Sequence, residues 1–250
     1  MSSEKQSRLG WTERSVLLAV FLVALSLRAI LAFKGGQGYW PDEGRYNIAC
    51  DAAEKLALAQ YEPMVHALLG SADHLGFKVQ MVPIAYLHLN DTSGSLVQSA
   101  LVVGLYSAAC LIWIWLIARR LGGSPQEAFW ATFAGLCSSS LLYYSRHLLP
   151  YDLALFWALA CWYVSLSPTS GKRTSLLAGL LGFVAFVTYN GYWTLVGLAL
   201  IVHVLRAGGK WKTLLSRAFF AGLSLAGSFV LLLVAARLLG VDLWESYRGF

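Results

Sequence analysis

Asp42, Glu43 and Arg45 stand together in the stretch Gly38–Tyr46, which reads GYWPDEGRY. It follows an apolar run that closes at Phe33, so its charges fall where a bilayer would end. A carboxylate held there can accept a proton from an attacking hydroxyl, and a neighbouring cation can hold an anionic headgroup. A plainer reading competes with this one. Asp42 follows a proline and opens a helix-like segment, so it can equally serve as an N-cap.

A second cluster lies further along. Tyr143–Asp152 reads YYSRHLLPYD and supplies Arg146, His147, Tyr151 and Asp152 between two apolar runs. Ionisable groups at that depth are costly and are usually paired or functional. The structural alternative is an Arg146–Asp152 pair tying the two runs together. Lys78 sits inside the apolar stretch LGFKVQMVPIAYLH, which Pro83 interrupts and which is short for a span. An interfacial piece places the ammonium at headgroup depth, facing phosphate or simply snorkelling to water. His66, His74, His88 and His147 show no metal-ligand spacing. No metal ligand is assigned, and a divalent metal is left open. Arg28, in the first run, reads as a snorkelling residue, and His203 as a packing residue.

The elements that must hold these residues are membrane helices. The 250-residue chain is 58% hydrophobic and 13% charged, with a mean hydropathy of +0.60, against roughly 45–50% and 25% in soluble domains. The expected fold is all-α: a single polytopic bundle over 1–250 with about seven spans. These run near 15–33, 96–118, 128–144, 151–166, 176–189, 192–205 and 218–239. Between the first two lies a long outer loop, about 34–94, carrying interfacial helices. One such helix is expected over 45–60, its apolar face formed by Tyr46, Ala49, Ala53, Leu56 and Ala57.

Charge gives the expected orientation. With the N-terminus cytoplasmic, Arg14, Arg119, Arg120, Lys172, Arg173, Arg206, Lys210, Lys212 and Arg217 all fall inside. Ten of the 13 acidic residues fall outside. That alternation follows the positive-inside tendency and puts both clusters on the outer face of the cell membrane. The net charge of +6 is spread over short loops, which argues against a nucleic-acid partner. The four cysteines give no disulfide framework, and the glycine pairs lack the context of a nucleotide loop.

WPDEGRY after a first span resembles the first outer-loop acidic motif of the GT-C membrane glycosyltransferases. It is most similar to the branch holding protein O-mannosyltransferases and the lipid A aminoarabinose transferase. Phe77-Lys78 and the SRHLLPYD entry to the fourth span extend the resemblance, which covers about residues 15–205. The resemblance implies a polyprenyl-phosphate-linked sugar donor, and a lipid, glycan or protein acceptor on the extracytoplasmic face. Transfer would invert the anomeric carbon. Asp42 would be the catalytic base. Glu43, Arg45, Tyr46, Lys78, Arg146, His147, Tyr151 and Asp152 would bind substrate, with basic groups steadying the departing phosphate. Members of that family have more spans, so this chain is expected to be either their N-terminal part or a shortened relative. The rival expectation is a non-catalytic carrier or binder of a lipid-linked sugar. Carriers tend to place polar groups at mid-membrane depth, whereas here they gather at the outer edge.

Overall fold

The computed structural model describes residues 10–38, 40–89, 95–168, 171–206, 208 and 211–248. All regular structure among the described residues is helical. Helices α1 (Trp11–Phe33), α2 (Gly44–Ala57), α3 (Tyr61–Leu69) and α4 (Leu75–Leu87) come first. Helices α5 (Val97–Arg120), α6 (Pro125–Leu136), α7 (Ser139–Tyr144) and α8 (Tyr151–Ser165) follow. Helices α9 (Lys172–Thr188), α10 (Trp193–Leu205), α11 (Trp211–Leu238) and α12 (Leu243–Arg248) complete the order.

Among the described residues, three helices are long and apolar enough to cross a membrane: α1, α5 and α11, with 23, 24 and 28 residues. The other expected spans are shorter. Helices α6, α8, α9 and α10 have 12, 15, 17 and 13 residues. At 1.5 Å per residue these reach roughly 18–26 Å, against a hydrocarbon core of about 30 Å. The expected third span is broken in two. Its helix stops at Leu136 and restarts at Ser139, because Ser138 adopts an extended conformation. The sequence reading also missed α3 and α12.

Helices α1, α6 and α8 pack on α5; α8 in turn leans on α9, and α9 packs on α11, α10 and α4. Successive long helices run antiparallel. The start of α1 meets the end of α5 through Glu13 and Arg119, 2.9 Å apart. The ends of α8 and α10 meet the starts of α9 and α11 through Ser165, Ser175, His203 and Arg217. This is the basic end.

At the opposite end, α2, α3 and α4 form a lid. The expected apolar face of α2 is present in part, and it is buried: Tyr46, Ala49 and Ala53, joined by Ala52, pack with Phe77, Met81 and Ala85 of α4, while Leu56 is half-buried and Ala57 is exposed. Helix α4 begins where His74 takes a left-handed conformation, φ 48°. It lies tightly on α9 because Gly76 has no side chain. A Cβ there would sit 2.8 Å from the Thr188 backbone nitrogen. A polar chain fixes the contact: the Trp157 indole donates to Gln80 Oε1 at 2.7 Å, and Gln80 Nε2 donates to Thr188 Oγ1 at 2.9 Å. Helix α12 buttresses the same corner, with Ser246 Oγ accepting from the Ala72 amide at 2.8 Å.

Candidate functional site

Glu43 joins the two sequence clusters. Pro41 opens a short 3-10 turn, and Glu43 reaches back to accept the Trp40 amide at 2.9 Å. Its other oxygen accepts the Leu148 amide at 2.8 Å and lies 3.4 Å from His147 Nδ1. The residue is 4% exposed. A carboxylate occupied by two backbone donors holds the loop to the α7–α8 turn, so Glu43 acts on position and leaves little for a ligand.

His147 continues the chain of contacts. Arg146 Nε donates to His147 Nε2 at 3.3 Å. That bond requires a lone pair on Nε2, so the ring proton sits on Nδ1 and faces Glu43. Burial lowers the His147 pKa, the adjacent Arg146 charge adds to this and Glu43 opposes it. The neutral ring then steers Arg146, whose guanidinium lies 5.2 Å from the Tyr143 ring centre. The alternative Arg146–Asp152 pair is not formed.

Asp42 is half-exposed and faces Arg45, with Oδ1 to Nη1 at 2.7 Å. Arg45 also holds Asp73 through its Nε at 2.5 Å. Asp73 in turn lies 3.1 Å from His74 Nε2. One guanidinium thus bridges two carboxylates, Asp42 from the loop and Asp73 from the α3–α4 corner. Burial pushes the His74 pKa down to about 4, partly offset by Asp73. The His74 ring rests on Tyr189, centroids 5.1 Å apart.

Lys78 does not stand at the rim. It is fully buried and donates to the Ser71 carbonyl at 2.6 Å. Burial lowers its pKa to about 8 against the pull of Asp73. Tyr46 is buried too, its hydroxyl 2.5 Å from Ser99 Oγ, and burial raises its pKa to about 12. Both residues position the lid. Arg28 is likewise buried at 1% exposure, donating to the Ala24 carbonyl at 3.1 Å, and so does not snorkel. His203 is a packed residue bonded to Ser175 at 2.9 Å.

Beside the turn lies a cavity of about 380 Å³ lined by Ser138, Ser140, Leu141, Tyr144, Tyr151, Asp152, Leu155 and Tyr192. Tyr144, Tyr151, Tyr189 and Tyr192 form a chain of edge-on ring contacts along it, 4.8–5.5 Å between centroids. Asp152 is 4% exposed, and its Oδ2 has no hydrogen-bond partner. Tyr151 lies within electrostatic reach of both Asp42 and Arg45. The cavity therefore combines aromatic faces and hydroxyls, with the buried carboxyl group of Asp152 in its wall. Such a lining suits a ligand that is apolar on its faces and hydroxylated at its edges.

The folded chain thus draws Asp42, Glu43, Arg45, Arg146, His147, Tyr151 and Asp152 into one region, with Lys78 and Tyr46 beneath it. Asp73 and His74 belong to it as well; the sequence reading passed over Asp73 and weighed His74 only as a metal ligand. The only trace was a polar Ser-Ala-Asp-His step before an apolar helix. Among the described residues, no three His, Cys, Asp or Glu side chains gather as a metal-ligand set. No protein-family model, curated protein or solved structure matches this chain.

Proposed function

We propose that this chain is a GT-C-type membrane glycosyltransferase, or the N-terminal part of one. It would move a sugar from a polyprenyl-phosphate donor to a hydroxyl acceptor on the extracytoplasmic face. In this reading the shorter helices pass through the bilayer alongside α1, α5 and α11, giving seven passes with a cytoplasmic N-terminus. The lid α2–α4 then faces outward.

One observation carries the reading: Glu43 accepts the Leu148 amide at 2.8 Å. That bond ties the loop bearing the half-exposed Asp42 carboxylate to the turn before Tyr151, which lies within electrostatic reach of Asp42 and lines a cavity large enough for a sugar ring. The acceptor oxygen attacks the anomeric carbon, and the bond from that carbon to the donor phosphate breaks. The acceptor proton passes to Asp42, and the leaving phosphate carries the electron pair. An aspartate is a weak base, which suffices when the proton moves late. Arg45 and Arg146 supply charge to the leaving phosphate. Asp152 and the tyrosines hold the sugar. Lys78 and Glu43 keep the walls in place.

The test is Asp42→Asn, reconstituted with a polyprenyl-phosphate sugar and a membrane fraction as acceptor source. Transfer should fall by about 100-fold or more. A near-normal rate removes Asp42 from the mechanism. Tight donor binding with no transfer by the unaltered chain would favour a carrier instead.

A further inference from the structure

The basic end carries a cluster that the proposed reaction does not use. Arg120 closes α5, Arg206 follows α10 and Arg217 lies on the second turn of α11. Arg120 donates to the Tyr163 carbonyl at 2.6 Å and stacks 3.6 Å above the Tyr163 ring. Arg217 donates to the His203 carbonyl at 2.8 Å. Its side chain is nevertheless 96% buried, and its Nε has no partner. Arg206 is exposed and lies close enough to both other guanidinium groups to repel them.

No carboxylate stands within 4 Å of any of the three among the described residues. The acids described at this end are engaged elsewhere: Glu13 with Arg119 at 2.9 Å, and Glu127 with the Ser124 amide at 2.6 Å. The two carbonyls lie in the last turns of α8 and α10. A helix C-terminus offers only about half a negative charge, so two of them leave most of three positive charges uncompensated. His203 cannot compensate either, since an imidazole is neutral or positive.

We propose that Arg120, Arg206 and Arg217 form a binding site for a phosphate group, presented by an anionic lipid headgroup or as free phosphate. Planar guanidinium groups match phosphate oxygens two at a time. Two of the three are already fixed by carbonyls, so little order is lost when the anion arrives. The site ties the ends of α5, α8 and α10 to the start of α11. It stands independently of the sugar-transfer reading.

The experiment is thermal unfolding of the full chain in neutral detergent. The additions are dioleoyl phosphatidylglycerol, dioleoyl phosphatidylcholine or inorganic phosphate. The unaltered chain should be stabilised by phosphatidylglycerol over phosphatidylcholine. Stabilisation by inorganic phosphate at millimolar concentration would identify free phosphate as sufficient. Arg206→Gln should weaken the apparent affinity about tenfold, the effect of losing one charge-assisted contact. Because Arg206 is exposed, its variant should unfold normally without additive. Arg14→Gln, an exposed charge at the start of α1, is the control and should change nothing. Equal losses in both variants would mean diffuse surface attraction and overturn the site. So would the absence of any shift with either anion, or a shift that Arg206→Gln leaves intact.

Discussion

The two ends of the bundle satisfy their charges by different means. At the lid end, cations meet side-chain carboxylates: Arg45 holds Asp42 and Asp73, and those residues come from separate elements. At the basic end, arginines meet mainly backbone: Arg119 donates to Gly123, Arg120 to Tyr163 and Arg217 to His203, all carbonyls at or near helix C-termini. Among the described residues, Arg119 alone of these three also pairs with a carboxylate, Glu13. A carbonyl at a helix end has a fixed position and cannot be protonated. A carboxylate can move, gain a proton and exchange partners. The basic end is therefore built for anchoring, while the lid end keeps groups that can take part in chemistry. The lid also adds a cover, since α2–α4 bury Lys78 and Tyr46 under the site. The described part of the basic end has no counterpart to that cover.

The sharpest way to break this contrast is to remove the clamp. Glu43→Ala strips the acceptor from two amides, Trp40 and Leu148, one of them buried against the turn. Leaving both unsatisfied should cost about 3 kcal/mol, read as a lower denaturant midpoint in detergent. The proposed sugar transfer should fall with it, because the loop bearing Asp42 loses its tie to the α7–α8 turn. Glu43→Gln keeps one acceptor oxygen and should lose clearly less of both. If Ala and Gln behave alike at the level of the native chain, Glu43 does not hold the two clusters together.

Acid should separate the ends next. The folded-state pKa of His74 lies near 4, below the ordinary value of 6.5. Between those values the unfolded chain binds a proton that the folded chain refuses. Stability is therefore full above about pH 6.5 and falls as pH drops towards 4. The groups facing His74 are Asp73, Arg45, Asp42 and Lys78, with the Tyr189 ring on its face. His74→Asn tolerates the left-handed backbone at φ 48° and removes the titration. Its unfolding midpoint should change less between pH 7 and pH 5 than that of the parent. An unchanged pH slope would place the acid sensitivity elsewhere.

How much of this was open to sequence reasoning follows from what each feature depends on. Helices α1, α5, α8, α9 and α10 lie within a few residues of the expected runs, because long apolar stretches and basic flanks are local signals, whereas α11 starts at Trp211, well before the expected run near 218–239. The link between Asp42 and the Arg146 turn was expected from their shared position at span ends. Burial depth was not readable. Lys78 interrupts an apolar run whether it points to water or, as here, beneath the lid to the Ser71 carbonyl. Nor was the Asp73–Arg45 bridge, which spans 28 residues with no repeat or spacing to mark it. The number of crossings stayed unsettled for a related reason. Apolar composition identifies a buried helix, but α6 and α10 are too short for composition alone to distinguish a bilayer pass from a helix packed within the bundle.

The smallest expected effect sharpens the comparison from the basic end. Ser124 caps α6: its hydroxyl accepts the Glu127 amide at 3.2 Å, while Glu127 accepts the Ser124 amide at 2.6 Å. Ser124→Ala should cost about 1 kcal/mol, seen as a modest loss in unfolding midpoint. The cap lies at the start of α6, which packs on α5 and α1, whereas the cavity residues lie past its other end, on α7 and its Ser138 cap, on α8 and at the Tyr192 turn. Sugar transfer at a temperature well below unfolding should therefore stay within about twofold of the parent, since 0.4 kcal/mol is a factor of two. A large loss of transfer with the small loss of stability would show that the two ends are mechanically coupled through α6 and α7, and that the basic end does more than anchor.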